Sequence, residues 1–216
     1  MPLGRANEGP ARDCARCPRL VEFRAKNQQL YPDFHNSPVP SFGRADVRLL
    51  VVGLAPGLKG ANRTGRPFTG DYAGDLLYGT LRKLGFAEGD YRADPNDGFS
   101  LVETRITNAV RCVPPDNKPT PDEVATCRVF LKAEIASLAR LAAILCLGNI
   151  SHASALACFG LKPSKYKFAH GAEHVLPSGL HLFDSYHCSR LNTNTGRLTP
   201  AMFEAVIARI KTHIGI

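Results

Sequence analysis

The side chains of this sequence that can do chemistry gather in four cysteines and three polar or glycine-rich segments. Cys14 and Cys17 form a C-x-x-C in an arginine-rich setting, and Cys112 and Cys127 follow far along the chain with fourteen residues between them. Four thiolates brought to one point satisfy tetrahedral zinc or an iron–sulfur cluster, and spacing alone leaves both open. Arg16, Arg19, Arg111 and Arg128 lie close enough in sequence to offset the negative charge of either centre. Cys146 and Cys158 read as buried packing thiols, whereas Cys188 adjoins His187. The other reactive types fall in Gly53 to Gly57, Asn108 to Cys112 and His187 to Thr199.

Strands must deliver those segments. Val47 to Val52 is a short apolar run stopped by Gly53, the pattern of a strand buried on both faces. Arg105 to Val110, Ala142 to Leu147 and Leu180 to Phe183 read as three more strands. Residues 58–70 form a polar loop with glycines and a proline, after which Asp71 is placed to cap a helix carrying Leu76, Leu77, Leu81 and Leu84 until Gly85. Thr120-Pro121-Asp122-Glu123 has the N-cap, N1 and N3 residues of a capping box, followed by Val124, Cys127, Leu131, Ile135 and Leu138 on one face. Further helices are expected over about 150–159 and from Thr199-Pro200, the last with Phe203, Val206, Ile207 and Ile210 inward. Strands alternating with helices imply an α/β fold, a three-layer α/β/α sandwich around a mainly parallel four-stranded sheet. Ligands of such sheets bind beyond the carboxyl ends of the strands, where the three reactive segments fall.

Of 216 residues, 44% are hydrophobic, which suits one α/β domain with a sizeable core and argues against disorder. A single domain over 1–216 is expected, with a cysteine-bearing N-terminal segment, 1–45, packed on it. No apolar stretch approaches the roughly 18–20 residues of a spanning helix, and the N-terminus lacks the apolar stretch of a signal peptide. The expectation is a cytoplasmic, nucleoid-associated monomer with no membrane partner. Seven cysteines, an odd count, argue for metal ligation or free thiols over a disulfide framework. The formal charge is +8, and residues 1–66 carry 11 basic and 5 acidic side chains, so +6 of it lies in this first third. That asymmetry is the footprint of a surface that meets a phosphate backbone.

Taken in order, the motifs resemble the uracil-DNA glycosylase superfamily, in particular its fifth, broad-specificity, iron–sulfur branch. The match is Gly53-Leu54-Ala55-Pro56-Gly57, then Gly65 to Asp71 with Gly74-Asp75, then Thr107 to Cys112 with two prolines after Val113, and finally His187-x-Ser189-x-x-Asn192 running on to Thr199. The resemblance spans Cys14 to the last helix. It implies excision of damaged bases from double-stranded DNA, an α/β/α fold, and a [4Fe–4S] cluster on Cys14, Cys17, Cys112 and Cys127, which favours iron over zinc. The chain departs from the family pattern at Ala55, where other branches hold an acid or amide that positions water, and at Cys188, where proline is usual.

Hydrolysis of an N-glycosidic bond needs the base out of the stack, a clamp for it, a partner for the departing anion, and a water on the far face of the sugar. Phe68 is the candidate to stack on the flipped base, Asn108 to present its amide to a base edge, and His187 to donate to the base oxygen that gains charge. Gly53 and Ala55 complete the base pocket. Asp75 is expected to orient the water in place of Ala55, with Asn192 or Asn194 assisting. Arg190 and Leu191 sit where the family inserts a side chain into the duplex, and Arg66, Asn194 and Arg197 complete the expected DNA contacts. A non-catalytic, metal-stapled DNA-binding module would bind damaged duplex without forming product. A small-molecule enzyme cradling phosphate on Gly53 to Gly57 would lack the Lys and Ser/Thr of a P-loop.

Overall fold

The computed structural model describes residues 9–216; residues 1–8 of the expected N-terminal segment lie outside the described residues. In chain order the elements are α1 (Pro18–Leu30), β1 (Leu49–Gly53), α2 (Ala61–Thr64), α3 (Tyr72–Lys83), β2 (Ala87–Glu88), β3 (Ser100–Leu101) and β4 (Thr104–Asn108). There follow α4 (Pro121–Ser137), β5 (Ala143–Leu147), α5 (Asn149–Cys158), β6 (Glu173–Val175), β7 (His181–Ser185), α6 (Arg190–Asn194) and α7 (Pro200–Ile214).

The central sheet has five strands in the order β4-β1-β5-β7-β6, parallel except for β6, which pairs antiparallel with β7. The expectation of four strands missed β6 because Glu173-His174-Val175 is a short edge strand with two exposed residues and no apolar run. β2 and β3 form a separate two-stranded pair. In β1 all five residues are buried and successive side chains serve opposite layers. Leu49 and Val51 pack with Leu77 and Leu81 of α3 and with Phe203, Ile207 and Ile210 of α7. Leu50 and Val52 pack with Leu131 of α4 and with Ala155 and Leu156 of α5. Helices therefore cover both faces, as alternating strands and helices require.

The capping signals hold in detail. Thr120 and Glu123 form a reciprocal capping box on α4, and Asp71 and Thr199 cap α3 and α7 through the amides of Gly74 and Met202. α1 begins with Pro18 at its first turn directly after Cys17, so proline fixes the chain just past the C-x-x-C. A third, smaller cluster of Leu20, Val110, Val124 and Cys127 docks this helix on the sheet edge.

Candidate active site

Register decides what meets at the carboxyl end of the sheet. Gly53 of β1 pairs with Asn108 of β4, so the end of one strand lies against the amide of the other. A Cβ on Gly53 would stand 2.3 Å from Asn108 Oδ1 and 2.6 Å from Phe68 Cζ, so a side chain there would push Asn108 and Phe68 apart. Above this floor opens a cavity of about 520 Å³, lined by Ala55, Phe68, Asp71, Asn108 and His187, with Tyr72 and Arg190 at its mouth. The size is that of a small-molecule site. Asn108 is buried, and among the described residues no hydrogen bond occupies its side-chain amide.

Phe68 is buried, yet it adopts φ +53°, a left-handed conformation that a bulky side chain avoids. Its carbonyl accepts from the Tyr91 hydroxyl at 3.1 Å, and Gly74 lets that carbonyl approach α3, since a Cβ there would lie 1.8 Å from it. The Phe68 ring stacks on His187 with centroids 5.9 Å apart. Burial holds the His187 imidazole neutral, with its pKa lowered to about 4. The ring can thus donate one hydrogen bond without carrying charge.

Asp71 is the carboxylate of this cavity; no other acidic residue lines it among the described residues. Its Oδ1 accepts from the Gly74 amide at 3.3 Å, and Oδ2 lies against the Gly57–Gly60 loop. Burial raises its pKa, partly offset by the amides of Gly74 and Ala73. Asp75, expected to orient the water, is exposed and lies outside the cavity. The i, i+4 relation presumes helical backbone at both positions, but Asp71 has φ −129° and ψ 165° and turns its side chain back over the first turn. Sequence reasoning saw Asp71 only as a cap; its place in the phenylalanine-threonine-glycine-aspartate motif was the available signal.

Arg66 also departs from expectation. It is 4% exposed, forks onto Asp97 at 2.8 and 2.9 Å, donates to Thr69 Oγ1, and lies over the rings of Phe42, Tyr78 and Tyr91. Three of its five N–H groups are engaged and the whole group is buried against Asp97, so it does not face a phosphate backbone. Arg190, Leu191, Asn194 and Arg197 are exposed around the cavity-side loop, Leu191 at 72%; Arg190 lies over Tyr72 and Arg197 over Tyr186. The expected threonine-rich loop includes a short helix, α6, capped by Ser189. Asn192 does not line the cavity; its amide donates to the His187 carbonyl at 2.8 Å. That bond and the cap fix the segment after His187, and Cys188 is wholly buried in the core.

Cys14, Cys17, Cys112 and Cys127 line one small void between α1, α4 and the end of β4. The Arg111 amide points at Cys127 Sγ (3.4 Å) and the Arg24 guanidinium at Cys112 Sγ (3.9 Å). Burial raises the pKa of Cys112 to about 12, with the neighbouring Cys127 adding to it, so this sulfur ionises only when a cation holds it. Two of the arginines expected to offset the centre's charge are committed elsewhere, Arg19 to Glu123 and Arg111 to Glu134. Arg24, which sequence reasoning passed over, takes that place from the buried stripe of α1.

The family model of the uracil DNA glycosylase superfamily matches residues 40–211. A type-5 uracil-DNA glycosylase of Thermus thermophilus is 43% identical over 208 residues, covering 94% of each chain. One from Pyrobaculum aerophilum is 39% identical over 207 residues, covering 94% of this chain and 90% of its own. A type-4 uracil-DNA glycosylase of the same organism is 32% identical over 155 residues, covering 71% of this chain and 65% of its own. A family model over most of the chain and relatives matched over 94% of it leave one assignment: the chain belongs to the uracil-DNA glycosylase superfamily.

Proposed function

We propose that this protein excises uracil and other deaminated bases from double-stranded DNA by hydrolysis, leaving an abasic site. The observation that carries the reading is the convergence, on one cavity, of an unpartnered amide, a neutral imidazole, an aromatic face and a single carboxylate. Phe68 stacks on the extruded base, and Asn108 pairs with its edge. His187, kept uncharged by desolvation, donates to the base oxygen on which negative charge grows as the glycosidic bond breaks. Asp71, anchored at Oδ1 by Gly74, orients water toward the sugar carbon with Oδ2, and its raised pKa suits a proton acceptor.

Ala55 contributes a methyl group where a larger polar side chain would narrow the cavity, so bases bulkier than uracil are admitted and only weakly rejected. Arg190 and Arg197 meet the backbone, and Leu191 fills the gap in the duplex. The four cysteines hold a [4Fe–4S] cluster. Four thiol side chains lining one void beside the Arg24 guanidinium and the Arg111 amide fit that group. When bound, the cluster supplies a crosslink between α1 and the sheet edge and takes no part in the hydrolysis.

Single-turnover assays on duplexes carrying uracil, hypoxanthine or no lesion test the reading. Abasic sites at uracil and at hypoxanthine are expected. Cleavage at uracil alone would refute the broad range, and binding without product would refute the activity.

A further inference from the structure

His152, His174 and Asp184 take no part in that chemistry, and none of them lines the base cavity. His174 on β6 is the register partner of Leu182, two residues before Asp184 on β7, so both side chains leave the same face of the sheet. α5 packs on that face and brings His152 to them. The side chains of Asp184 and His152 are fully buried and that of His174 is 17% exposed. Ligand-type atoms of all three lie within 4.8 Å of one another.

The hydrogen bonding of this cluster is incomplete. Asp184 Oδ1 lies 2.8 Å from His152 Nδ1, whereas Asp184 Oδ2 and His174 Nε2 face each other at 3.3 Å without hydrogen-bond geometry, and among the described residues neither has another partner. A buried carboxylate with one oxygen unpaired is costly, and such groups in native proteins mark an ion or water that completes them. We infer that His152 Nδ1, His174 Nε2 and Asp184 form a metal site for a divalent cation of the zinc class, separate from the cysteine centre.

Two features fit that class. Nitrogen and oxygen ligands at about 2.0–2.1 Å from tetrahedral zinc sit about 3.3 Å apart, the separation already present between Asp184 and His174. His152 Nε2 lies 2.7 Å from the Tyr166 carbonyl, so this nitrogen carries a proton and the ring offers Nδ1 to the metal. A ligating histidine anchored through its other nitrogen on a backbone carbonyl is the usual outer-shell arrangement of zinc sites. The bound ion ties α5 to the edge strand β6 and to β7, the strand that delivers His187. A second cluster, Glu173, His181 and His213, is a poorer host because Arg209 and His181 already occupy the two oxygens of Glu173.

The test uses iron-loaded protein equilibrated with zinc chloride and then freed of unbound metal. One zinc per chain is expected at unchanged iron content, with X-ray absorption showing nitrogen and oxygen neighbours only. His174→Ala should retain iron and lose the zinc, and His174→Gln serves if the alanine variant fails to fold. His213→Ala should keep the zinc. No bound zinc, zinc retained by the His174 variant, zinc lost with His213, or sulfur neighbours would each overturn the inference.

Discussion

Arg66 and Phe68 stand two residues apart on one loop and face opposite kinds of surroundings. Arg66 enters a box in which its charge is paired and each of its nitrogens bonds: its guanidinium holds Asp97 and Thr69, and Asp97 also accepts from the amides of Arg92 and Phe99. Those four bonds hold the Asp97 carboxyl far below the usual carboxylate range, the Arg66 pair being the main cause. Phe68 turns into the cavity with a strained backbone, beside an amide left without partners. The Pro67 and Phe68 carbonyls accept from the hydroxyls of Tyr78 and Tyr91, whose rings also pack on Arg66. The ion-paired box thus over-determines the loop, and a strained site with an unpaired amide persists beside it.

The largest expected effect separates chemistry from scaffold. Asp71→Asn removes the charge of the cavity carboxylate while keeping a side chain that caps α3 about as well. Base excision should slow by about 10²–10⁴-fold in single-turnover assays, with the unfolding midpoint and DNA affinity unchanged. A loss of stability matching the loss of rate would show that Asp71 belongs to the scaffold. The converse change is Asp97→Ala, which strands the buried Arg66 charge. It should lower unfolding free energy by about 3–5 kcal/mol in denaturant titrations, with activity lost in step with folded protein. A stable Asp97→Ala protein would break the contrast between the two regions.

A smaller effect comes from pH. Asp71 has a raised pKa, so its carboxylate is lost as pH falls through a value above the ordinary 3.8, while His187 stays neutral down to about 4. The single-turnover rate should therefore fall about tenfold per pH unit on the acid side and level off above it. In Asp71→Asn that limb should vanish. An acid limb unchanged in the variant would assign the titration to another group.

How far the sequence reveals this arrangement depends on where the partners lie. Strands β1 and β5 and the capped helices are legible because burial on both faces leaves apolar runs and because caps are local chemistry, while β4 and β7 carry shorter apolar marks around Ile106 and Leu182-Phe183. α1 is not, since its buried stripe is Leu20, Arg24 and Asn27, two of them polar, and no hydrophobic period marks it. Asn108 and His187 are legible as strand-end residues and Phe68 as a loop residue, each within a motif. The burial of Arg66 is not, because its partner lies 31 residues away in a polar stretch beyond α3. Asp71 is hidden by its own cap signal, which is correct and incomplete.

The smallest expected effect tests that last point. Asp75 lies one turn into α3, exposed, with its carboxylate in the first turn of the helix. Its physical role there is to face the partial positive charge of the helix N-terminus, worth about 0.3–1 kcal/mol at an exposed site. Asp75→Asn should therefore cost stability of that order, the loss shrinking as salt is added, while single-turnover excision stays within about twofold of the parent. Asp71 and Asp75 share a helix start and a residue type, so the pair of Asn variants differs only in which carboxylate reaches the cavity. If Asp75→Asn slowed excision by orders of magnitude and Asp71→Asn did not, the water would be held from outside the cavity described here, and the geometry assigned to the site would have to change when DNA binds.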